Sequence, residues 1–509
     1  MFVAILSVLL SAFLAFYTWL RLRKYWRKGP PLPPGPRPHF LLGNLRDVPR
    51  GGYEWLALEN LSKTYGSDII HFQVLGRHIV SINSFKAAND LLDKKSGIYS
   101  DRPRLARVKQ LLGWRWILVT MSYHEGFAAH RRLVQQSFQP NIVTSMHRPV
   151  MRREVHKLLG NLLTTPDDFR VHLKSMAGAI IMMVTYGYQV APKDDPYVKL
   201  AEDANRSVES TTPGAHFVDF FPILQHLPAL LFEFKRRALV TRKLAHELRN
   251  APFQMVKERM AAGTALPSMV TSLLENEAAS EATDAEELIK NCAAAAYSAG
   301  ADTTAVTLTN FFLAMITHPQ VQERARLELD EVVGRDRLPS FDDRPRLPYI
   351  SCIVKELLRW KAVSPLGIPH CTTTDDIYQG MFIPKGTSVL ANISAMLHDE
   401  SMYADPDDFN PDRFVSGADG SEGAQDPSRI AFGFGRRICP GRFFADDTLW
   451  LAVANILHVF KIEKKKGPDG SVLEPSVTWA SGAVSIPSPF ACEIAPRLAE
   501  ADNLIPSSE

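Results

Sequence analysis

The sequence predicts a mainly α-helical fold with a minor β component, preceded by a single membrane-spanning helix at the N-terminus. Three observations support this prediction. Hydrophobic residues make up 46% of the 509-residue chain and charged residues 22%, which is enough to bury a very large core. Most of the chain beyond residue 125 has the apolar spacing of helices, whereas strand-like segments are few and short. The chain also opens on an uncharged apolar run of bilayer-spanning length.

Residues 2–20 carry no charge and are just long enough to cross the hydrocarbon core as a helix. No basic side chain precedes them, and five follow at once: Arg21, Arg23, Lys24, Arg27 and Lys28. Because positive charge collects on the cytoplasmic side, we expect residues 1–28 to anchor the chain with its bulk in the cytoplasm. A cleaved signal peptide is the alternative, but the basic start and small-residue cleavage site that it needs are not evident.

A proline-rich hinge at residues 29–38 follows the basic cluster. Prolines at this density favour a stiff, extended linker. We expect a single domain over residues 39–509, because no repeat and no long low-complexity stretch divides that part of the chain.

The domain begins with two predicted strands, residues 69–74 and 78–82, which are joined by a turn at Gly76. Pro319 marks the end of one helix and the start of the next. The helical spacing predicts helices at residues 125–136, 151–163, 171–186, 284–318, 319–333, 349–360 and 442–459. Residues 384–390 are typical of a turn that enters another strand.

Charge and cysteine usage exclude several function classes. The net charge of +3 is too small to indicate a nucleic-acid partner, and we expect none. The five cysteines are scattered and odd in number, namely Cys292, Cys352, Cys371, Cys439 and Cys492. This usage fits a reducing compartment and argues against a disulfide framework or a zinc site.

The most informative motif is FGFGRRICPG, residues 432–441. Cys439 ends its glycine-rich loop, just ahead of the predicted last helix, and Arg437 stands two residues before it. Because a thiolate is stabilised at a helix N-terminus, we expect Cys439 to lose its proton easily. The glycines let the backbone approach a flat cofactor closely, and the arginine can bind a carboxylate. An axial haem-ligand loop requires these features, and a buried structural cysteine is the alternative.

The spacing Phe432, Gly435, Arg437, Cys439, Gly441 closely resembles the haem-binding signature of the cytochromes P450. The order of elements from the hinge to the C-terminus is similar too, so the resemblance covers nearly the whole chain. It implies the P450 fold and haem b as cofactor, with Cys439 as the axial ligand of the iron and the other motif residues around it. NADPH would act only indirectly, through a reductase.

A second motif, AGADTT at residues 299–304, lies inside the predicted helix 284–318. Its small residues weaken a helix unless something large lies flat against it, and a helix-packing face is the alternative. The P450 resemblance implies that Gly300 opens space for haem and dioxygen. It also implies that Thr303 relays protons toward the dioxygen and that Asp302 replenishes the proton network.

A third motif pairs Glu356 with Arg359, which face the same side of a predicted helix. This spacing is also common in ordinary surface ion pairs. The later segment FNPDRF, residues 409–414, resembles the P450 segment whose arginine joins that pair. Arg413 is therefore implied to complete a buried structural network, in which the loss of one member would leave the others unpaired.

Haem propionates need cations, and the resemblance implies three of them: Arg437, Arg131 and His370. Many P450s carry a propionate-binding tryptophan four residues before the position of Arg131. Phe127 occupies that place here, so the indole donor is missing. For His370, a partly exposed loop histidine is the alternative.

By resemblance, the ligand pocket draws on residues 104–121, 210–231, 293–297, 363–368 and 481–486. These stretches are mainly apolar, so an apolar small molecule is the expected substrate. The aromatic and leucine-rich part of the second stretch could dip into lipid or form a plain buried helix pair. The chain looks similar to fungal secondary-metabolite P450s of the O-methylsterigmatocystin oxidoreductase-like group, whose substrates include polyketides, indoles and terpenoids.

The expected function is a monooxygenase in the endoplasmic reticulum membrane that receives electrons from NADPH–cytochrome P450 reductase, with cytochrome b5 as a candidate second donor. Two alternatives stay open. A P450-fold isomerase or dehydratase acts on peroxides without external electrons and usually lacks an acid–threonine pair like Asp302 and Thr303. A non-catalytic binder of haem or apolar ligands would have no use for such a pair.

Overall fold

The computed structural model describes residues 29–123, 126–191, 194–209, 217–226, 232–277, 285–417, 423–497 and 501–505, with the isolated positions 11, 15 and 18. The predicted anchor, residues 1–28, lies outside the described residues except at those three positions. Within the described ranges, no helix combines the length and the apolar character needed to cross a membrane.

Helices dominate the described chain, as predicted. The longer ones are α1 (Glu54–Tyr65), α2 (Phe127–Ser137), α3 (Arg148–Thr164), α4 (Phe169–Tyr186), α5 (Pro196–Glu209), α6 (Glu233–Ala261), α7 (Met269–Glu277), α8 (Ala285–Thr317), α9 (Pro319–Val332), α10 (Pro348–Trp360) and α11 (Arg442–Val459). Short helical segments lie between them, at Phe85–Ala88, Asn89–Lys94, Ser96–Tyr99, Arg107–Leu111, Pro140–Ile142, Val143–His147, Pro166–Asp168, Phe217–Phe220, Pro222–His226, Phe341–Arg346, Ile393–Leu397, Pro411–Phe414, Ser428–Ala431, Gly435–Arg437 and Ala501–Leu504.

Helix α8 forms the centre of the core. It has 33 residues, which corresponds to about 50 Å of length. Its side chains from Leu308 to Ile316 are buried without a break, so this half of the helix is enclosed on all sides. Helix α4 packs along α8, and α11, buried throughout its second half, also contacts it. The loop that precedes α11 is thereby held close to the middle of the protein.

The β component is small and lies mostly in one sheet with the strand order β1–β2–β6–β3. Its strands are β1 (Ile69–Val74), β2 (Arg77–Ile82), β3 (His370–Cys371) and β6 (Ser388–Ala391). Two smaller antiparallel sheets have two strands each. One pairs β4 (Asp376–Tyr378) with β5 (Met381–Ile383), and the other pairs β7 (Phe460–Lys464) with β8 (Cys492–Pro496). Strand β2 is antiparallel to β1 but parallel to β6, with Val80 opposite Val389. The sheet therefore joins residues 69–82 to residues 370–391, which are far apart in the chain.

The proline-rich hinge is tied to this sheet. The backbone N–H of His71 in β1 donates to the carbonyl of Pro34 at 2.9 Å, and that of Phe382 in β5 donates to Pro31 at 2.7 Å. A Cβ added to Gly35 would lie 2.1 Å from the His71 carbonyl oxygen, so a glycine is required at this contact. The proline-rich hinge therefore lies against the surface of the domain.

Local patterns predicted most of these elements closely. The two strands at Gly76 are confirmed, α9 begins at Pro319, and α11 spans Arg442–Val459 as predicted. Helices α1, α5, α6 and α7 were not predicted. The buried stripe of α6 uses small residues such as Ala238, Thr241 and Ala245, and Pro252 lies inside the helix. Both features hide the helical signal, because the apolar contrast is weak and proline normally ends a helix.

Four histidines of the domain, three buried and one half-buried, are held in the neutral form. Burial lowers the pKa of His147, His398 and His458 to about 4, and burial together with nearby arginines lowers the pKa of His370 to about 3. The ring of His147 packs between Phe138 and Phe444, and its Nδ1 has no hydrogen-bond partner among the described residues. An unfolded chain would take up these protons near the ordinary histidine pKa of about 6.5, so acid favours unfolding.

We predict that the free energy of unfolding is highest above pH 6.5 and decreases as the pH falls from 6.5 toward 4. The substitution His147→Phe should reduce that slope by about 1.4 kcal/mol per pH unit, because it removes one proton that only the unfolded state binds. Urea unfolding followed by circular dichroism at several pH values measures both slopes. An unchanged slope in the variant would contradict the assignment of His147 as a neutral, buried base.

Candidate active site around Cys439

The loop that carries Cys439 is closed by its own backbone. The Cys439 N–H donates to the Phe432 carbonyl at 2.8 Å. Gly435 has a φ of 54°, and a Cβ there would lie 2.2 Å from the Leu92 carbonyl oxygen. Only glycine fits this left-handed, crowded position. The loop is therefore fixed against the Asn89–Lys94 segment, and α11 begins directly after it.

Cys439 lies deep in the protein, yet its surface is not fully covered by protein atoms, so it borders an internal space. Burial raises the pKa of its thiol. A backbone hydrogen bond from Gly441 and the charges of Arg131 and Arg442 act in the opposite direction but do not reverse the shift. These surroundings favour the protonated thiol, in contrast to the expectation that Cys439 loses its proton easily. A thiolate here needs a cation bonded to the sulfur itself.

Helix α8 has one accessible strip in its otherwise buried middle. Ala299 and Thr303 are exposed, although Ala301 and Thr304 beside them are buried. The Thr303 Oγ1 donates to the Ala299 carbonyl at 3.1 Å. These two residues are one helical turn apart and so share a face of α8 that protein atoms leave uncovered.

Gly300 does not contribute to that strip. A Cβ at Gly300 would lie 2.9 Å from the Cγ1 of Ile181 in α4, so the glycine permits close packing of α4 against α8. The expectation that Gly300 opens space for a ligand is therefore wrong, and the helix-packing alternative holds for this residue. Within the motif, Ala299 therefore lies on the exposed strip, whereas Gly300 packs against α4.

Asp302 faces α4 and α5. Asn205 of α5 donates its Nδ2–H to Asp302 at 2.8 Å, and the Nζ of Lys174 in α4 lies 3.8 Å from the same carboxylate. Lys174 also pairs with Glu202 at 3.0 Å. A small, partly open recess borders these residues, with room for about one ordered water molecule. The carboxylate thus lies between the solvent side of α5 and the strip that includes Thr303.

Buried cations converge next to the cysteine loop. The Nε and Nη2 of Arg437 donate to the carbonyls of Ser100 and Met121 at 2.7 and 2.8 Å. Its guanidinium lies 3.7 Å from the ring centroid of Phe127, and burial lowers its pKa to about 10. Phe127 thus stacks on Arg437 at the place where related proteins use an indole donor.

Sequence reasoning missed a second buried arginine in this cluster. Arg102 donates from Nε to the Val119 carbonyl at 2.8 Å and from Nη1 to the carbonyls of Ile368 and Pro369, each at 2.7 Å. Burial and the charge of Arg437 lower its pKa. The local sequence around Arg102 gives no signal that this arginine is buried, because the carbonyls that accept its hydrogen bonds belong to two other segments of the chain.

His370 completes the cluster. Its Nδ1 lies 2.8 Å from the Tyr99 carbonyl, which assigns the ring proton to that nitrogen. Burial and the charges of Arg102 and Arg437 hold the ring neutral. His370 is 6% exposed, so the alternative of a partly exposed loop histidine is wrong.

Few anions accompany these positive charges among the described residues. Arg131 and Arg437 repel each other, burial lowers the pKa of Arg131, and among the described residues Asp101 is the carboxylate that acts on Arg102 and Arg437. Buried charges require partners. A flat apolar group with two carboxylates, bound through a cation to the Cys439 sulfur, would satisfy both the cluster and the loop. The residues present therefore fit haem.

Comparison with known proteins agrees with this geometry. The family model described as Cytochrome P450 matches residues 33–491. The chain belongs to the cytochrome P450 family. This P450 is an oxidoreductase, a monooxygenase, and its cofactor is haem, which supplies the dioxygen chemistry when bound. P450s receive electrons that originate from NADPH through a redox partner.

Its curated relatives include fungal monooxygenases of similar length. Cytochrome P450 monooxygenase 208 of Postia placenta is 42% identical over 478 residues, which cover 93% of this chain and 92% of that protein. Cytochrome P450 monooxygenase claR of Ampulloclitocybe clavipes is 40% identical, with 93% and 88% covered. Cytochrome P450 monooxygenase ple1 of Rhodocybe pseudopiperita is 38% identical, with 96% and 93% covered.

The structure of this P450 also brings Glu356, Arg359 and Arg413 together. Arg359 donates from Nε and Nη2 to the two carboxylate oxygens of Glu356, each at 2.8 Å, and the Nε of Arg413 donates to the same carboxylate at 3.2 Å. Glu356 and Arg359 are fully buried. Remaining guanidinium N–H groups donate to backbone carbonyls, those of Leu397, Ala404, Asp405, Pro406 and Asp408. The hydrogen-bonding groups of the network are therefore satisfied within the protein itself.

We predict that Glu356→Ala lowers the free energy of unfolding by about 3–5 kcal/mol, because it leaves two buried guanidiniums without their carboxylate. Glu323→Ala is the matched control, since Glu323 and Arg326 in α9 have the same spacing but Glu323 is exposed. Urea unfolding of the haem-loaded protein measures both. Equal effects of the two substitutions would contradict the structural role of the buried network.

Proposed function

We propose that this P450 hydroxylates or otherwise oxidises a small apolar secondary metabolite, of the terpenoid, polyketide or aromatic and indole classes. It would use O2 and electrons from NADPH–cytochrome P450 reductase. The observation that carries the proposal is that the Cys439 sulfur and the Ala299–Thr303 strip both border space inside the domain. The relatives' names support the monooxygenase class, and the apolar pocket stretches support the substrate class.

In this proposal, Cys439 is the axial ligand of the haem iron. Phe432 and Gly441 hold the sulfur in place through the carbonyl that accepts the Cys439 N–H and the N–H that bonds the thiol. Arg131 and Arg437 would bind the propionates, and His370 would donate to one of them from Nε2 after its ring takes up a second proton, because its Nδ1–H already donates to Tyr99. Arg102 would hold the cluster in place through its hydrogen bonds to backbone carbonyls. The shortage of carboxylates around these cations supports the assignment.

Asp302 and Thr303 would move protons. Asp302 would take a proton from the water-sized site beside Lys174 and Asn205 and pass it toward Thr303. Thr303 would rotate its hydroxyl away from the Ala299 carbonyl to hand the proton on. Asn205 and Lys174 hold the Asp302 carboxylate in place beside this site.

The partner and the location follow from the surface and from the N-terminal sequence. Arg132 and Arg436 are exposed near the cysteine loop and would face an acidic flavoprotein, with cytochrome b5 as a candidate second donor. Phe221 and Ile223 are 47% and 73% exposed, which supports a lipid-facing entrance to the pocket. We propose a single-pass protein of the endoplasmic reticulum membrane, anchored by residues 1–28, with its catalytic domain in the cytoplasm.

We predict that Cys439→Ser abolishes the red-shifted Soret band of the reduced carbonyl complex, because that band requires a thiolate ligand. Cys371→Ser is the control and should keep the band, since Cys371 belongs to β3 and not to the loop. Difference spectra of the full-length proteins measure both. A retained band in Cys439→Ser would overturn the proposed function.

We predict that Thr303→Ala keeps haem content and the carbonyl band but diverts electrons to hydrogen peroxide. Asp302→Asn should slow turnover by on the order of 10²-fold, because the donor of the relay is lost. The measurement is the ratio of product to NADPH consumed, with a substrate found by feeding candidate scaffolds to a reductase-bearing host. Thr309→Ala is the control, since its hydroxyl is buried and donates to Ala305 within α8. Unchanged coupling in the Asp302 and Thr303 variants would favour an isomerase or dehydratase.

A further inference from the structure

Helix α2 carries two residues of the candidate site and, beside them, a buried histidine. Phe127 stacks on Arg437, and Arg131, one helical turn further along α2, lies close enough to Cys439 for each group to shift the pKa of the other. His130 is 8% exposed and contacts helix α8. The position of Arg131 therefore depends on how α2 is held against α8.

His130 belongs to a chain of hydrogen bonds whose directions are fixed by an arginine. The Nε of Arg249 in α6 donates to the Oδ1 of Asn291 in α8 at 2.7 Å. Because arginine can only donate, the Nδ2 of Asn291 faces His130 and donates to its Nε2 at 3.2 Å. The ring proton of His130 is therefore on Nδ1, which donates to the Gly126 carbonyl at 3.0 Å. The chain thus links α6 through α8 to α2.

Further contacts hold both ends of this chain. At the outer end, Glu287 of α8 pairs with Arg249 and with Lys290. At the inner end, the thiol of Cys292 donates to the His130 carbonyl at 3.5 Å. Burial lowers the pKa of His130, so the ring stays neutral and its Nε2 remains an acceptor.

Phe127 gives this link more weight than it would have beside a tryptophan. An indole at that position could donate a hydrogen bond to a carboxylate of the cofactor, whereas the phenyl ring only stacks on Arg437. Helix α2 therefore has one fewer group that can bond the cofactor directly, and its contacts with α8 contribute more to its position.

We propose that His130 and Asn291 are positioning residues that hold Arg131 against a haem propionate, and that they thereby set how long haem stays bound. The inference rests on the proposed function for one point, that Arg131 binds a propionate. Loss of the Asn291 amide would leave the buried Nε2 of His130 without its donor. Helix α2 would then shift, and the Arg131 guanidinium would spend more time away from the propionate.

Transfer of haem from the full-length protein to excess apomyoglobin, followed by absorption, measures haem release. Asn291→Ala should accelerate release about tenfold, because the substitution leaves a buried acceptor unpaired. Asn250→Ala is the matched control and should release haem at the wild-type rate, since Asn250 of α6 donates to the His246 carbonyl within the same helix.

Asn291→Asp separates a positioning role from a general loss of stability. Neutral His130 must then either turn the lone pair of Nε2 toward the new carboxylate or give up its bond to Gly126, whereas protonated His130 donates to the carboxylate. Relative to the wild type at the same pH, release should be about tenfold faster at about pH 8 and should return toward the wild-type rate at about pH 6. The ratio for Asn291→Ala should be the same at both pH values, because alanine offers no acceptor.

The wild-type release rate in Asn291→Ala, or a pH-independent ratio for Asn291→Asp, would overturn the proposal. Arg131→Gln tests the point taken from the proposed function and should also accelerate release. A wild-type rate in that variant would show that Arg131 does not bind a propionate, and this inference would fail with that assignment. Failure of the proposed function as a whole would appear separately, as a missing carbonyl band in the wild-type protein.

Discussion

The guanidinium of Arg437 is the contact on which the site depends most. It stands two residues before Cys439, and it donates to the backbone of Ser100, Leu118 and Met121 while it stacks on Phe127. The Arg437 side chain thus connects the cysteine loop to the backbone of residues 100–121 and, through Phe127, to helix α2. None of its partners neutralises it, because they are neutral carbonyls and an aromatic ring. The Arg437 guanidinium therefore holds these segments together and is also available to bind an anionic ligand.

A comparison of the two buried charge clusters shows why one is structural and the other is suited to a cofactor. Glu356, Arg359 and Arg413 contain a carboxylate that both arginines share, and backbone carbonyls accept their remaining N–H groups. In the cluster of Arg102, Arg131, Arg437 and His370, Asp101 acts on two arginines from a distance, and no carboxylate forms an ion pair with these guanidiniums among the described residues. A network with a directly paired carboxylate stabilises the fold, whereas unpaired guanidiniums can stabilise a bound anion.

Neighbouring residues of helix α8 point in different directions around the helix axis and contact different groups. Gly300 faces Ile181 and allows α4 to pack closely, Asp302 faces Lys174 and Asn205, and Thr303 faces the internal space. Successive residues in a helix differ by about 100° in direction, so adjacent positions of one motif reach different neighbours. A proton path from Lys174 to Thr303 would therefore cross from one face of α8 to the next.

The sequence by itself determined the elements whose signals are local. The apolar spacing and the proline at residue 319 located α8 and α9, and the cysteine motif located the loop before α11, because these signals arise from neighbouring residues. Helix α6 was missed since its buried stripe is made of small side chains around Pro252. Only the tertiary structure decided which neighbour Gly300 packs against, the place of Arg102 and the partners of Asp302. Each of these depends on segments that are far apart in the chain, and no local pattern encodes which distant carbonyl, amide or carboxylate folding will bring into contact.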